Sequence, residues 1–431
     1  MNSARNKRSV TRLLSRRSFL KAAAALSIAL LPVSRIRARG GGKRRDHRTV
    51  VVVGAGAFGG WTALYLRHLG AEVTLVDAWG PGNSRASSGG ETRVIRGMYG
   101  ADRPYVRLVT RAFDLWQEWS ERWNRQLYTE TGVLWMFAGN DSYARESLPL
   151  MIEHGLTASE LPLATAVRRY PQVNFDGVTS VYFEERGGHL LAREACQAVV
   201  EEFVHQRGDY RQLTATPGAM HGGVMKNLRL SDGSTLHADI FVFACGPWLG
   251  ELFPEVIGPI IMPSRQEVFF FGPPDGDTRY SSPDLPVWVD FGEHIFYGIP
   301  GGERRGFKIA DDTRGAEFDP TIDDRIISDE GLSSARKFMV RRFPGMKDAP
   351  LVESRVCQYE NSPDGHYIVD RHPDAKNVWI VGGGSGHGFK MGPALGEYVA
   401  GLVDSDRSAD QLFLLDRFRE STPHRTQLES S

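Results

Sequence analysis

The chain has 431 residues, 41% hydrophobic, 10% aromatic and 24% charged, which excludes wholesale disorder. Its 47 glycines follow no fixed period, so a collagen-like fibre is excluded, and its three cysteines (Cys196, Cys245, Cys357) are too few and too scattered for a disulfide scaffold or a zinc site. The zero net charge hides a division: residues 1–48 hold 14 Lys/Arg and one acid (+13), leaving 52 − 14 = 38 bases and 52 − 1 = 51 acids (−13) for the rest, a body too acidic for nucleic acid as a partner.

The first element is an address. Ser15-Arg16-Arg17-Ser18-Phe19-Leu20-Lys21 precedes an apolar run from Ala22 to Val33. A basic start, paired arginines and a short apolar run have the pattern of a twin-arginine export signal, placed here at residues 1–40. The run has 12 residues, and a membrane span needs roughly 20, so no permanent span is expected. That route carries proteins already folded, often with a cofactor inserted. The mature protein is expected outside the cytoplasm, in the periplasm or beyond, with the export machinery as a transient partner.

Thr49–Val53 reads as a buried strand, followed directly by Gly54-Ala55-Gly56-Ala57-Phe58-Gly59. A helix from Gly60 to Leu69, closed by Gly70, leads to a second strand, Glu72 to Asp77, that ends in an acid. Glycines of this spacing permit a tight turn and close approach of backbone to a pyrophosphate, and the helix N-terminus adds free N–H groups. Asp77 lies at the spacing expected of a residue that binds a ribose hydroxyl. In this strand–turn–helix–strand setting the motif reads as dinucleotide binding.

After Pro104, Leu108, Ala112, Leu115, Trp116, Trp119 and Trp123 recur at helical spacing and read as core. A helix is expected over 192–206. Leu228 to Leu236 alternates around Asp232-Gly233, a hairpin signal, and Ile240–Ala244 is a buried strand that runs into Cys245-Gly246. Val378–Val381 is another, opening into a glycine-rich turn, Gly382 to Gly388. Three buried strands, each ending in a glycine-bearing turn, predict an α/β, Rossmann-like dinucleotide domain built from segments 47–134, 185–259 and 364–418. Residues 135–184 and 260–363, with runs such as Glu267–Phe271 and Val287–Asp290, predict an inserted α+β domain, mostly antiparallel sheet, that covers the cofactor. Residues 419–431 read as a polar tail.

Four stretches resemble the monomeric sarcosine oxidase and N-methyltryptophan oxidase branch of the D-amino-acid-oxidase-like flavoproteins. They are the glycine motif with Asp77, Gly90-Glu91-Thr92-Arg93-Val94-Ile95-Arg96 followed by Tyr99-Gly100, Val356-Cys357-Gln358-Tyr359 with Ser362 to Asp370 after it, and Gly386-His387-Gly388-Phe389-Lys390. The resemblance implies FAD, bound by Gly54, Gly56, Ala57, Phe58, Gly59, Asp77, Thr92, Arg93, Gly384, Gly386, His387, Gly388 and Lys390, and tethered through a Cys357 thioether. It implies that Arg96 and Lys390 bind the substrate carboxylate, that Lys308 promotes oxygen reduction, and that Tyr297 belongs to the active site. No metal is implied.

The chain departs from the branch at two positions. Small-substrate members carry histidine where this chain has Gly89 and Asp312. A missing imidazole at 89 would open space. An acid at 312 would attract a cationic substrate group, or is an exposed loop acid beside Asp311. The implied function is oxidation of the C–N bond of a secondary or N-substituted amino acid to an imine, with molecular oxygen reduced to hydrogen peroxide. The alternatives are an exported flavin dehydrogenase that passes electrons to a quinone or haem acceptor, and a flavin- or ligand-binding protein without activity.

Overall fold

Strand β1 (Thr49–Val53), helix α1 (Ala57–His68) and strand β2 (Glu72–Val76) open the computed structural model, which describes residues 48–302 and 305–419. The export segment and the tail beyond Arg419 lie outside the described residues. The β-branched valines of β1 suit a pleated strand, and the lack of alternation fits a strand covered on both faces. Helix α1 begins at Ala57, three residues before the glycine-based reading places it. Gly59 and Gly60 lie inside it, buried, so packing outweighs their low helix propensity.

A six-stranded sheet runs in the order Ile368–His372, Ala375–Gly382, Ile240–Phe243, β1, β2, Asp209–Arg211. Only the first pair is antiparallel. The three buried strands with glycine turns therefore lie side by side, and their C-terminal ends share one edge, the place where parallel sheets bind ligands. Helices Arg103–Trp123, Ala192–His205 and Gly392–Ser405 join α1 in covering this sheet through one large core. Its centre is Trp61, whose ring meets Trp116 and Trp119 edge-on at 5.6 and 5.5 Å. The tryptophans of the long helix are core.

The second sheet has eight strands, in the order Leu351–Asn361, Met262–Phe271, Phe307–Asp311, Ile295–Ile299, Val287–Phe291, Val133–Phe137, Ser180–Glu184, Ala158–Glu160. All neighbours are antiparallel except Val287–Phe291 with Val133–Phe137. Val133–Phe137 belongs wholly to this sheet, so residues 133 and 134 join it as well as 135 onward. A short sheet of Thr92–Ile95, Gly188–Leu191 and Tyr128–Glu130 accompanies them. The expected hairpin is Asn227–Leu230 paired with Thr235–His237.

Alternation decides what the eight-stranded sheet presents on each face. Phe269, Phe271, Phe296, Phe307 and Ile309 enter a second core, with Trp288 and the helix Asp329–Arg342. Their neighbours point the other way. Directly paired residues share a face, and the register pairs Lys308 with Phe270, Tyr297 with Ala310, Gln266 with Cys357 and Ser264 with Tyr359. Tyr297, Lys308, Cys357 and Tyr359 therefore share one face.

One buried ion pair ties this sheet together. Arg342 Nε is 2.5 Å from Asp290 Oδ2, and Arg342 also donates to the Asn174 carbonyl. Burial raises the Asp290 pKa even against Arg342, so the pair gives fixed geometry more than net stability. Arg342→Met leaves Asp290 buried and unpaired, which is expected to cost about 3–5 kcal/mol. Asp290→Asn added to it should recover most of that loss in thermal unfolding followed by circular dichroism.

Candidate active site

At the end of β1 the chain turns at Gly54, whose φ of +103° suits glycine, and a Cβ there would overlap the Ala244 carbonyl oxygen. Gly59 packs on the same turn. This turn aims the start of α1 into a cavity of about 360 Å³, lined by Gly54, Gly56, Ala57, Phe58, Asp77, Gly384, Gly386 and Gly388. Asp77 accepts hydrogen bonds from the N–H groups of Ala55, Trp79 and Gly80 at 2.8, 2.9 and 2.7 Å, and burial raises its pKa against them. Ser87 Oγ and Glu360 Oε2 are buried without a protein partner, and both residues line the cavity. A helix N-terminus suits a pyrophosphate, a carboxylate suits a sugar hydroxyl, and orphaned oxygens need polar partners. The residues present fit a dinucleotide such as FAD.

A second cavity, of about 50 Å³, is lined by residues that include Arg96, Tyr297, Asp312, His387 and Lys390. Arg93, Tyr359, Gly386 and Phe389 line both cavities, so the two share a wall. Arg96 is buried; it donates to the Met98 carbonyl and to Tyr143 Oη at 3.0 Å, and lies 4.4 Å from the Tyr99 ring centre. Lys390 Nζ donates to Tyr99 Oη at 3.1 Å and to the His387 carbonyl at 2.9 Å. Burial, and then Arg96, push the Lys390 pKa well below its usual value. Glu184 accepts from the Gly97 N–H and from Trp135 Nε1, and burial pushes its pKa up to about 7. Two buried cations in one small cavity make a seat for an anion, and an Arg fork with a Lys suits a carboxylate.

Asp312 lines this cavity: its Oδ1 accepts from Tyr359 Oη at 2.8 Å, and Tyr359 is hydrogen-bonded to Tyr297. It is a wall residue, while its neighbour Asp311 pairs with His294 at 3.1 Å. The His387 ring is held between Tyr367 Oη (2.9 Å from Nδ1) and the Gly365 carbonyl (3.0 Å from Nε2). Burial pushes its pKa well down, so Nε2 carries the proton and Nδ1 accepts.

Lys308 and Cys357 line neither cavity. Lys308 Nζ donates to the Thr92 carbonyl at 3.0 Å and lies 5.6 Å from the Tyr297 ring centre; burial, then Arg93, lower its pKa to about 7. Cys357 Sγ accepts from Arg93 at 3.4 Å. Arg93 and Thr92 thus connect both to the cavity wall. Gly59 serves packing, since a Cβ there would overlap the Gly54 carbonyl oxygen.

One expectation is corrected. Gly89 does not open space, because the chain folds back and a Cβ at 89 would overlap the Asn83 carbonyl oxygen. Cys245 packs against the core and also lines the larger cavity. Sequence reasoning missed Glu184, Tyr143 and Glu360, and passed over Tyr359 and Tyr99 inside its own motifs. For Tyr359 the available signal was its place two residues after Cys357 on a strand.

Residues 49–402 match the DAO family of FAD dependent oxidoreductases. Monomeric sarcosine oxidase of Bacillus sp. (strain B-0618) is 31% identical over 377 residues, 83% of this chain and 92% of that protein. N-methyl-L-tryptophan oxidase of Salmonella enteritidis PT4 is 27% identical over 382 residues, 86% and 99% of the two chains. Among solved structures, L-proline dehydrogenase from P. horikoshii is similar with a TM-score of 0.76 at 20% identity, over 88% of this chain and 99% of that one. Fructosamine oxidase (Amadoriase II) from Aspergillus fumigatus has a TM-score of 0.72 at 19% identity, over 88% and 92%. No helix among the described residues is long and apolar enough to cross a membrane, and none of their His, Cys, Asp and Glu clusters could hold a metal ion.

Restoring a side chain at 89 tests the crowding there. Gly89→His is expected to destabilise the protein by about 1–3 kcal/mol through overpacking, read as a lowered thermal midpoint.

Proposed function

The chain belongs to the DAO family of FAD-dependent oxidoreductases, and from that premise we propose that it oxidises the C–N bond of a secondary or N-substituted amino acid to an imine. Molecular oxygen takes the electrons and becomes hydrogen peroxide. The observation that carries this reading is the pair of buried cations, Arg96 and Lys390, on a cavity that shares a wall with the dinucleotide cavity. The names of the relatives, a sarcosine oxidase and an N-methyltryptophan oxidase, support the same substrate class.

The Arg96 guanidinium engages the substrate carboxylate with two parallel N–H donors. Lys390 adds a third donor. The arriving negative charge raises the Lys390 pKa again, so the lysine is charged when substrate is bound. Asp312, steadied by Tyr359, draws in the cationic amine, which gives up a proton to solvent so that the neutral nitrogen's lone pair can form the C=N bond as the hydride leaves the adjacent carbon. Bound FAD would supply the two-electron acceptor for the carbon beside the nitrogen. Lys308 places a cation near the Tyr297 face, where it favours negative charge that develops on oxygen. Cys357, beside Arg93, supplies the proposed thioether tether. The paired arginines at 16 and 17 support export in folded form, with the cofactor in place, to the periplasm.

Yellow colour that stays with the pellet after acid precipitation is expected from a tethered flavin. An oxygen electrode should record uptake with N-methyl or cyclic amino acids, with peroxide formed; dye reduction without oxygen uptake would make the protein a dehydrogenase. Lys308→Met should leave anaerobic reduction intact and slow reoxidation by oxygen, whereas Lys390→Met should raise KM roughly tenfold to a hundredfold, the loss of one charged hydrogen bond. Burial brings the Lys308 pKa down to about 7 in the protein alone and a bound anionic cofactor raises it again, so reoxidation should be fastest at acid pH and fall as the pH rises above about 7 through the cofactor-bound pKa.

A further inference from the structure

Glu360 is the penultimate residue of the strand Leu351–Asn361, on the opposite face from Tyr359. Its side chain is almost fully buried, with 7% of the residue exposed. One carboxyl oxygen, Oε1, accepts a hydrogen bond from the Gly384 N–H at 3.2 Å. The other, Oε2, has no partner in the protein, and the residue lines the larger cavity. A buried acceptor left unmatched is costly and needs a donor from elsewhere. The turns that flank it, at Gly246 and Gly384, end two of the parallel strands, and both glycines line the same cavity.

The chemistry of FAD narrows what that donor is. The pyrophosphate offers only acceptors and belongs at the start of α1. The reacting ring has to reach the smaller cavity, across the wall shared by Tyr359 and Gly386. Glu360 adjoins Tyr359 in the chain and contacts Gly384, which lies against Phe58 in the first turn of α1, so it stands between those two ends. The part of the cofactor that spans this interval is the ribityl chain, whose hydroxyl groups both donate and accept.

We propose that Glu360 binds a ribityl hydroxyl of FAD through its second carboxyl oxygen. This rests on the FAD reading and adds a cofactor contact to it. The titratable and charged groups facing Glu360 are few. The Cys245 thiol is pushed up by burial and stays uncharged, Asp77 lies elsewhere on the same cavity wall, and the Tyr359 hydroxyl is turned to the other face, toward Asp312. With burial dominant, the Glu360 pKa stands at about 7 before any ligand enters. An anionic cofactor raises it further. A group whose pKa is higher in the bound state contributes affinity that is complete below the free-state pKa and is lost as pH rises from there through the bound-state pKa. FAD should therefore bind more tightly on the acid side of neutrality.

The test uses the full-length Cys357→Ser variant, so that FAD exchanges freely. FAD affinity is measured by flavin fluorescence at about pH 6 and about pH 8.5, to either side of the transition, with circular dichroism to check the fold of each protein. The parent is expected to bind more weakly at the higher pH. Glu360→Gln should keep the acid-side affinity and lose the pH dependence. Glu360→Ala should weaken binding about fivefold or more at the lower pH. The proposal is overturned if Glu360→Ala binds as the parent does, or if Glu360→Gln keeps the parent's pH dependence. If no variant binds FAD at either pH, the cofactor reading falls, and this contact with it.

Discussion

Arg96 and Lys390 are two basic groups buried on one small cavity, each disfavouring the other's charge, and much of the site is arranged to make their positive charge tolerable. A buried cation needs hydrogen-bond acceptors or a counter-charge. Here most acceptors are neutral: the Met98 and His387 carbonyls and the hydroxyls of Tyr143 and Tyr99. Tyr99 serves both cations, through its ring face to Arg96 and its hydroxyl to Lys390. The carboxylates in the neighbourhood, Glu184 and Asp312, hydrogen-bond to the Gly97 backbone and to Tyr359 and act on the two basic groups through space. The positive field is thus reduced without being cancelled, which leaves the cavity suited to an anion.

The two sheets divide the work. The parallel sheet brings its strand ends and their glycine turns to one edge, which suits a dinucleotide. The antiparallel sheet supplies chemistry through alternation, with Phe296 and Phe307 buried in one core while Tyr297 and Lys308 face the other way. A one-residue slip would send both functional side chains into the aromatic core. Stacked rings on that core face, such as Phe296 on Phe338 at 4.2 Å, make such a slip costly.

Much of the nucleotide half was legible because its signals are local. Thr49 to Asp77 carries strand, turn, helix and acid within a single stretch, and the structure follows it apart from the earlier start of α1. The catalytic half was legible only through resemblance. Lys308 and Cys357 are far apart in sequence and meet because two strands pair with the same third strand. Nothing local to Asp312 shows that Tyr359 reaches it, so a wall residue and an exposed acid read alike. Gly89 was misread for a related reason. The space at a glycine depends on what folds over it, and there the neighbouring Asn83 carbonyl does so.

Burial leaves several groups in this site close to a change of charge. Glu184, Glu360 and Lys308 all come to about 7, the acids raised and the lysine lowered by the same loss of water. Ligand charge then acts on them with opposite consequences. An anionic substrate favours the charged form of Lys390 and the neutral form of Glu184. An anionic cofactor favours the neutral form of Glu360 and the charged form of Lys308. In each case the ligand drives the group toward the state that leaves least net charge in the filled site. The fold thus prepares these groups without fixing their protonation, and occupancy by anions completes the electrostatic balance that the protein alone leaves open.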